Sequence, residues 1–126
     1  MMNTLIIDTA GENIFLKVII ADKEYNITHD NSRENFDKLV DFIFNFLRKN
    51  YIDLSKIDNV LINQGPGKYT SIRSGISIVK ALKISNKINV YGYYSSQIAN
   101  NDYNYLVELL KEGLLTNDFI QPKYLN

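Results

Sequence analysis

The densest cluster of residues that could do chemistry in this chain of 126 is Gly65-Pro66-Gly67-Lys68-Tyr69-Thr70-Ser71-Ile72-Arg73-Ser74-Gly75. Two glycines around a proline let the backbone turn sharply off a strand end. Thr70 or Ser71 can cap the helix that follows, and that helix's leading N–H groups would form an anion site. The spacing denies a Walker A loop, which needs glycine where Ile62 stands and Ser or Thr where Tyr69 stands. The dinucleotide fingerprint fails as well, because Thr70 occupies its third glycine. The plain alternative is a tight turn that docks a helix on a sheet. Asp8, followed by Thr9, closes an apolar run and suits a strand-end carboxylate accepting turn hydrogen bonds. His29 is the only histidine. With Asp30 and Glu34 it makes no convincing metal set, and nothing in the spacing singles out a serine for it to activate. A solvent-exposed turn histidine is the expectation. With no cysteine, disulfides, Cys-based zinc sites and thiol nucleophiles are excluded.

The elements that must position these residues follow from periodicity. Asn3–Thr9 reads as a buried strand entering a turn. Ile14–Ile20 alternates at period two, and Tyr25–Thr28 follows a polar turn, so the chain opens with a β-meander. From Asn35 to Asn50 the pattern is helical, with Asp30, Asn31 and Ser32 as cap candidates. Its apolar residues do not fit one stripe. Phe36, Val40, Ile43 and Leu47 make one face, and Leu39, Phe42 and Phe46 a neighbouring one. A helix apolar over so much of its circumference is covered on two sides, and its own sheet can cover only one. Asp53–Asp58 is a polar connection. Asn59–Asn63 is a buried strand running into the glycine-rich loop, a helix runs from about Ile72 to about Ile84, and Ile88–Tyr91 is a fifth strand. A terminal helix over Asp102–Glu112 stops at Gly113. Alternation of helix and strand in this half implies parallel crossovers joined to the meander. The expected fold is one α/β domain, a mixed five-stranded sheet with two main helices on one face and a C-terminal helix.

Lys plus Arg and Asp plus Glu both total 14. A protein that grips nucleic acid alone usually carries a basic excess, so any nucleic-acid contact is expected to be made through a partner. No basic segment leads into a long apolar core at the N-terminus, and no apolar run is long enough to span a bilayer. The expected setting is soluble and cytoplasmic.

The segment Asn59–Gly75 resembles the signature of the TsaB family, in which a strand leads into Gly-Pro-Gly-Ser-Phe-Thr-Gly-Leu-Arg-Ile-Gly. Gly65, Pro66, Gly67, Thr70, Arg73 and Gly75 match residue for residue, and Tyr69 and Ile72 are conservative departures. Lys68, Ser71 and Ser74 depart, and Ser71 in place of glycine tells against close ligand approach there. Leu5–Ala10 is similar to the family's first strand. Pro122-Lys123-Tyr124-Leu125 is similar to its closing Pro-x-Tyr-Leu-Arg, with Asn126 replacing the arginine.

The resemblance implies an actin-like, sugar-kinase-like (ribonuclease-H-like) domain. It also implies a non-catalytic subunit that binds and stabilises a TsaD-like catalytic protein making threonylcarbamoyladenosine in tRNA. A TsaE-like ATPase would be a further partner, tRNA would be met only indirectly, and no cofactor or metal is expected. TsaD holds its metal through paired histidines on a helix, which His29 alone does not reproduce. Family members are usually longer, so residues 1–126 are expected to form a single domain with the second lobe absent, and Tyr103, Tyr105 and the terminal helix to cover surface that lobe would bury. The family's first two helices pack on those of TsaD. That implication meets the surplus apolar surface of the first helix, and makes Leu39, Phe42, Phe46, Arg73 and Ile78 the interface candidates. The alternative is that these side chains simply fill a small core. A rival function is a small nucleotide- or phosphate-binding enzyme using Asp8, Thr9 and the Gly65–Thr70 loop, since active members of the fold carry a phosphate- or metal-facing aspartate where Asp8 stands. A homodimer through the same helices is a third reading.

Overall fold

A computed structural model describes residues 3–86, 88–98, 100, 102–117 and 120–123. The strands are β1 (Thr4–Asp8), β2 (Asn13–Ile20), β3 (Lys23–Asp30), β4 (Asn59–Asn63) and β5 (Asn89–Tyr93), in the sheet order β3-β2-β1-β4-β5. The first three form the expected meander, with Leu5 opposite Val18 and Leu16 opposite Ile27. β4 then lies parallel to β1 with Val60 beside Leu5, and β5 lies parallel to β4. Each parallel step is bridged by helix, as parallel pairing requires. The helices are α1 (Arg33–Phe36), α2 (Leu39–Lys49), α3 (Tyr69–Asn86) and α4 (Asn104–Lys111).

Alternation along the strands sorts the core into two layers. Leu5, Ile7, Leu16, Val18, Val60, Ile62 and Val90 meet α2 and α3 on one face. Ile6, Leu61 and Tyr93 meet Leu106, Leu109 and Leu110 of α4 on the other. β1 and β4 are buried at every position because both their faces are covered, which is why they read as continuous apolar runs rather than alternating ones. After α4 the chain turns round the β5 edge. Leu115 joins the α4 layer, Thr116 bridges Gly92, and Ile120 reaches the opposite layer. Lys123 N–H then donates to the Gln64 carbonyl at 2.7 Å. Edge pairing of this kind covers backbone groups that β5 would otherwise expose. Tyr124, Leu125 and Asn126 of the closing motif lie outside the described residues. Among the described residues no helix is long and apolar enough to cross a membrane.

The structure corrects several boundaries. The helical stretch expected over 35–50 is broken at Asp37-Lys38 into α1 and α2. α3 begins at Tyr69 rather than Ile72, since the Ile72 N–H already bonds the Lys68 carbonyl. β3 runs two residues further at each end than Tyr25–Thr28, and β5 ends at Tyr93 rather than Tyr91. The polar connection at 53–58 contains a short 3-10 turn, Leu54–Lys56, capped by the Asp53 side chain. His29 is not in a turn. It sits in β3, half-buried, with its ring stacked on Phe42 at 3.9 Å and 5°.

Candidate functional site

The glycine-rich loop leaves β4 toward the end of β1. Asn63 Oδ1 accepts the Gly65 N–H at 2.7 Å, and Gly65 adopts φ +100°, a conformation that suits only glycine. The Gly65–Pro66 peptide is cis. The Ser95 N–H and hydroxyl donate to the Gly65 and Pro66 carbonyls at 2.9 Å each. Gly67 presses on β1 so closely that an added Cβ would stand 2.2 Å from the Ala10 carbonyl oxygen.

Beyond it, Thr70 is exposed and Ser71 buried, and neither caps α3. Ser71 turns inward instead. Its hydroxyl donates to the Thr9 carbonyl at 2.8 Å, and the Thr9 hydroxyl donates back to the Ser71 carbonyl at 2.7 Å. Asn31 completes this knot through Nδ2, which donates to the Thr9 and Gly11 carbonyls at 2.8 Å each. Gly75 packs under the same threonine. The position where the resemblance has glycine thus faces protein, and the loop is fastened through the side chains of Asn63, Ser95, Lys68 and Ser71. Arg73 projects outward, its Nη1 donating to the Tyr69 hydroxyl at 2.7 Å with the guanidinium 5.3 Å from that ring's centre.

Asp8 lies 6% exposed on a cleft of about 570 Å³ at the carboxyl ends of β1 and β4. Three donors satisfy it: Ala10 N–H at 2.9 Å, Asn63 Nδ2 at 3.1 Å and the Tyr103 hydroxyl at 2.7 Å. Strand-end acceptance, the plain reading of Asp8, describes this geometry. Among the described residues no group of three or more His, Asp or Glu side chains is placed to hold a metal. The Lys68 ammonium, the one cation of the loop, donates to the Asn31 carbonyl at 3.0 Å.

Two tyrosines share the Asp8 surroundings. Burial above all, with the Asp8 charge second, pushes Tyr93 and Tyr103 well above the ordinary tyrosine value. A solvated tyrosine ionises near pH 10. The folded protein therefore keeps protons that the unfolded chain releases above about pH 10, so the stability contributed by both groups is complete below that pH and falls as pH rises past it. The melting temperature is expected to drop as pH is raised above about 10, and to drop less in Tyr93→Phe. Circular dichroism melts across that range check this, and equal slopes for the two proteins would refute it.

The helix face is arranged differently from expectation. Leu39 and Phe46 are each 2% exposed and belong to the core with Ile43 and Leu47, so neither can offer an interface. At about 100° per residue, Val40 and Phe44 fall on the flank beside Leu47, and Phe42 on the opposite flank. Phe42 is half-buried against His29. Val40 and Phe44 remain 44% and 38% exposed. They line an apolar groove of about 270 Å³ against Ile78, Ala81 and Leu82 of α3. Val40 and Ile78 carry this groove on into a more polar one with Asp37, Thr70, Arg73, Ser74 and Ser77. Of the expected interface set, Ile78 and Arg73 are therefore brought together and Phe42 stands apart. Val40 and Phe44, outside the expected interface set, are the exposed apolar residues of α2. Their i, i+4 spacing was visible, but the helix phase that turns them outward was not.

Residues 19–99 match the family model described as TsaD: tRNA N6-adenosine threonylcarbamoyltransferase. The tRNA threonylcarbamoyladenosine biosynthesis protein TsaB of Buchnera aphidicola subsp. Schizaphis graminum is 31% identical over 88 residues, which is 70% of this chain and 42% of that protein. YeaZ from Pseudomonas aeruginosa superposes with a TM-score of 0.75 at 21% identity, over 82% of this chain and 49% of that one. The chain spans less than half the length of either relative. RuvC from T. thermophilus, solved with a Holliday junction substrate, superposes with a TM-score of 0.60 at 11% identity, over 92% of this chain and 99% of that one. These structural likenesses are of fold, the ribonuclease-H-like and actin-like arrangement of a mixed five-stranded sheet.

Proposed function

Because the chain belongs to the family of the tRNA N6-adenosine threonylcarbamoyltransferase TsaD and is TsaB-like within it, we propose that it serves threonylcarbamoyladenosine synthesis in tRNA as a binding subunit. Its partner is a TsaD-like catalytic protein in the cytoplasm. It contributes surface and stability rather than a reacting group, and a TsaE-like ATPase and the tRNA join through the assembled pair.

The observation that carries this reading is the apolar groove between α2 and α3. Val40 and Phe44 stand exposed beside Ile78 and Ala81, and no described strand covers them. Along the groove α3 presents Ser74, Ser77, Ala81 and Ser85, small side chains that let another helix approach closely. A helical partner with apolar side chains at i, i+3 or i+4 and i+7 fits such a surface. Phe44 is the aromatic that would anchor it. Arg73 sits at the polar end, suited to an acidic group at the rim. Against the rival enzyme reading stands Asp8 Oδ1, which already accepts from the Ala10 N–H and Asn63 Nδ2 and is therefore not free to face a phosphate or its metal.

The test is the affinity of the chain for its cognate TsaD-like protein, measured by calorimetry beside a Val40→Asp, Phe44→Asp double variant. Both side chains are surface residues, so the variant is expected to fold while binding falls at least about 100-fold, near 2.7 kcal/mol. Absence of binding by the unaltered chain would overturn the proposal. Equal binding by the folded variant would move the interface elsewhere.

A further inference from the structure

The cleft at the carboxyl ends of β1 and β4 is where a sheet with parallel strands offers its ligand site. In this molecule one of its walls comes from far along the chain. Tyr103, at the start of α4, lays its ring on Phe15 with centroids 4.3 Å apart and 25° between planes. At the ring's edge the hydroxyl donates to Asp8 Oδ2 at 2.7 Å. Phe15 comes from β2 and Asp8 from the end of β1, so the two groups that hold the tyrosine belong to the sheet and are fixed without it. Asp8 is held in turn by Ala10 N–H and Asn63.

We propose that Phe15 and Asp8 form a preorganised binding site for a planar ring carrying one N–H or O–H donor on its edge, and that Tyr103 is the chain's own occupant of it. The recognition is complete in chemical terms. A ring face supplies offset stacking, and a buried carboxylate supplies a charge-assisted bond that rewards a donor in one direction. The phenol suits this role because it stays protonated there, its ionisation pushed up by burial and by Asp8. A ligand of this class, phenolic or a nucleobase with an amino edge, enters when Tyr103 swings out, and the cleft of about 570 Å³ alongside has room for the substituents such a ring bears.

The experiment is thermal unfolding of the full chain as Tyr103→Ala, with p-cresol, toluene or adenosine at millimolar concentration. If the site is preorganised, p-cresol raises the melting temperature of the variant by several degrees through mass action, and toluene, lacking a donor, raises it far less. Unaltered protein and Tyr103→Phe respond much less, because ligand must first displace the ring that occupies the site. If Tyr103→Ala is unfolded when alone, p-cresol is expected to restore its folded circular dichroism signal, so the outcome remains decisive. A response to adenosine as well assigns the nucleobase form of the ligand, and a response to p-cresol alone assigns the phenolic form. No response to p-cresol or adenosine, or an equal response in the unaltered protein, overturns the proposal.

Discussion

Replacing Gly67 with alanine is expected to destabilise the chain by about 3 kcal/mol and lower its melting temperature by about 10 °C. The cause is backbone rather than side-chain crowding. A Cβ at this position would lie 2.2 Å from the Ala10 carbonyl oxygen and 2.8 Å from the Ala10 Cβ. Neither neighbour can rotate aside. Ala10 is tied by its N–H to Asp8 Oδ1, and its carbonyl accepts the Lys68 N–H at 2.9 Å. Relief requires the loop to lift from β1, which strains the reciprocal Thr9–Ser71 bonds immediately beyond it. Overpacking alone costs about 1–3 kcal/mol, and each bond lost adds about 1 kcal/mol. Gly11 is the control, since an added Cβ there meets nothing within 4 Å. Its alanine variant should stay within about 0.5 kcal/mol of the parent. Urea unfolding of the two variants checks both, and a Gly67→Ala variant as stable as Gly11→Ala would refute the close approach.

That contact also shows what the sequence could and could not reveal. The glycine-rich loop was legible because its residue types are demanding. Two glycines and a proline after a buried strand force a sharp turn, and the strand Asn59–Asn63 was bounded by polar residues on both sides. β1 and β4 were legible for the same reason, as short apolar runs closed by turn formers. The layered α/β architecture followed from the switch between periods two and 3.6. The phase of α2 was not legible. Its apolar surplus was real, but no glycine or proline marks the break at Asp37-Lys38, and that break decides which flank faces out. Leu39 and Phe46, expected at an interface, are core, while Val40, grouped by spacing with Ile43 and Leu47, stays in solvent beside Phe44, which neither expected face includes. His29 was misplaced because the strand signal of β3 fades into polar residues where its edge is open.

Pairings between distant segments left no local mark at all. Asp8 and Tyr103 are 95 residues apart, and Thr9 and Ser71 are 62 apart. Periodicity reports which face of an element is apolar, not which hydroxyl will meet which carbonyl across the sheet end. Ser71 shows the consequence. Read along the chain it was a departure from glycine at a loop, and a cap candidate. In the fold it is 1% exposed and fastens α3 to β1. The serine replaces the open space of a glycine with a hydroxyl that has two carbonyl acceptors, Thr9 and Lys68.

Asn31 tests that fastening most severely, through a comparison in which shape is held constant. Its side chain, in a residue 4% exposed, donates through Nδ2 to the Thr9 and Gly11 carbonyls at 2.8 Å each and lies 3.2 Å from the Ser71 hydroxyl. Two carbonyl oxygens on one side fix the amide's orientation, since the reverse would set oxygen against oxygen. Asn31→Ala removes the donor and leaves the Gly11 carbonyl without it, at an expected cost of about 2–3 kcal/mol. Asn31→Asp is nearly isosteric and packs better, yet it places an acceptor where a donor is needed and buries a charge, the Lys68 ammonium being bound to the residue's backbone carbonyl rather than to that oxygen. It is expected to cost more than the alanine at neutral pH, about 4 kcal/mol. The buried carboxyl would titrate upward, so the aspartate variant alone should recover stability as pH is lowered through its raised pKa, because the protonated acid can again donate. Ser71→Ala on its own should cost about 1–2 kcal/mol, and its effect should be coupled to that of Asn31→Ala rather than additive. Chemical unfolding of the unaltered protein, the three single variants and the Asn31→Ala, Ser71→Ala double variant, at neutral and mildly acidic pH, separates these outcomes. An aspartate variant as stable as the alanine one at neutral pH would mean that water reaches the knot, and that β1, β3 and α3 are joined there by a looser contact than the bond lengths describe.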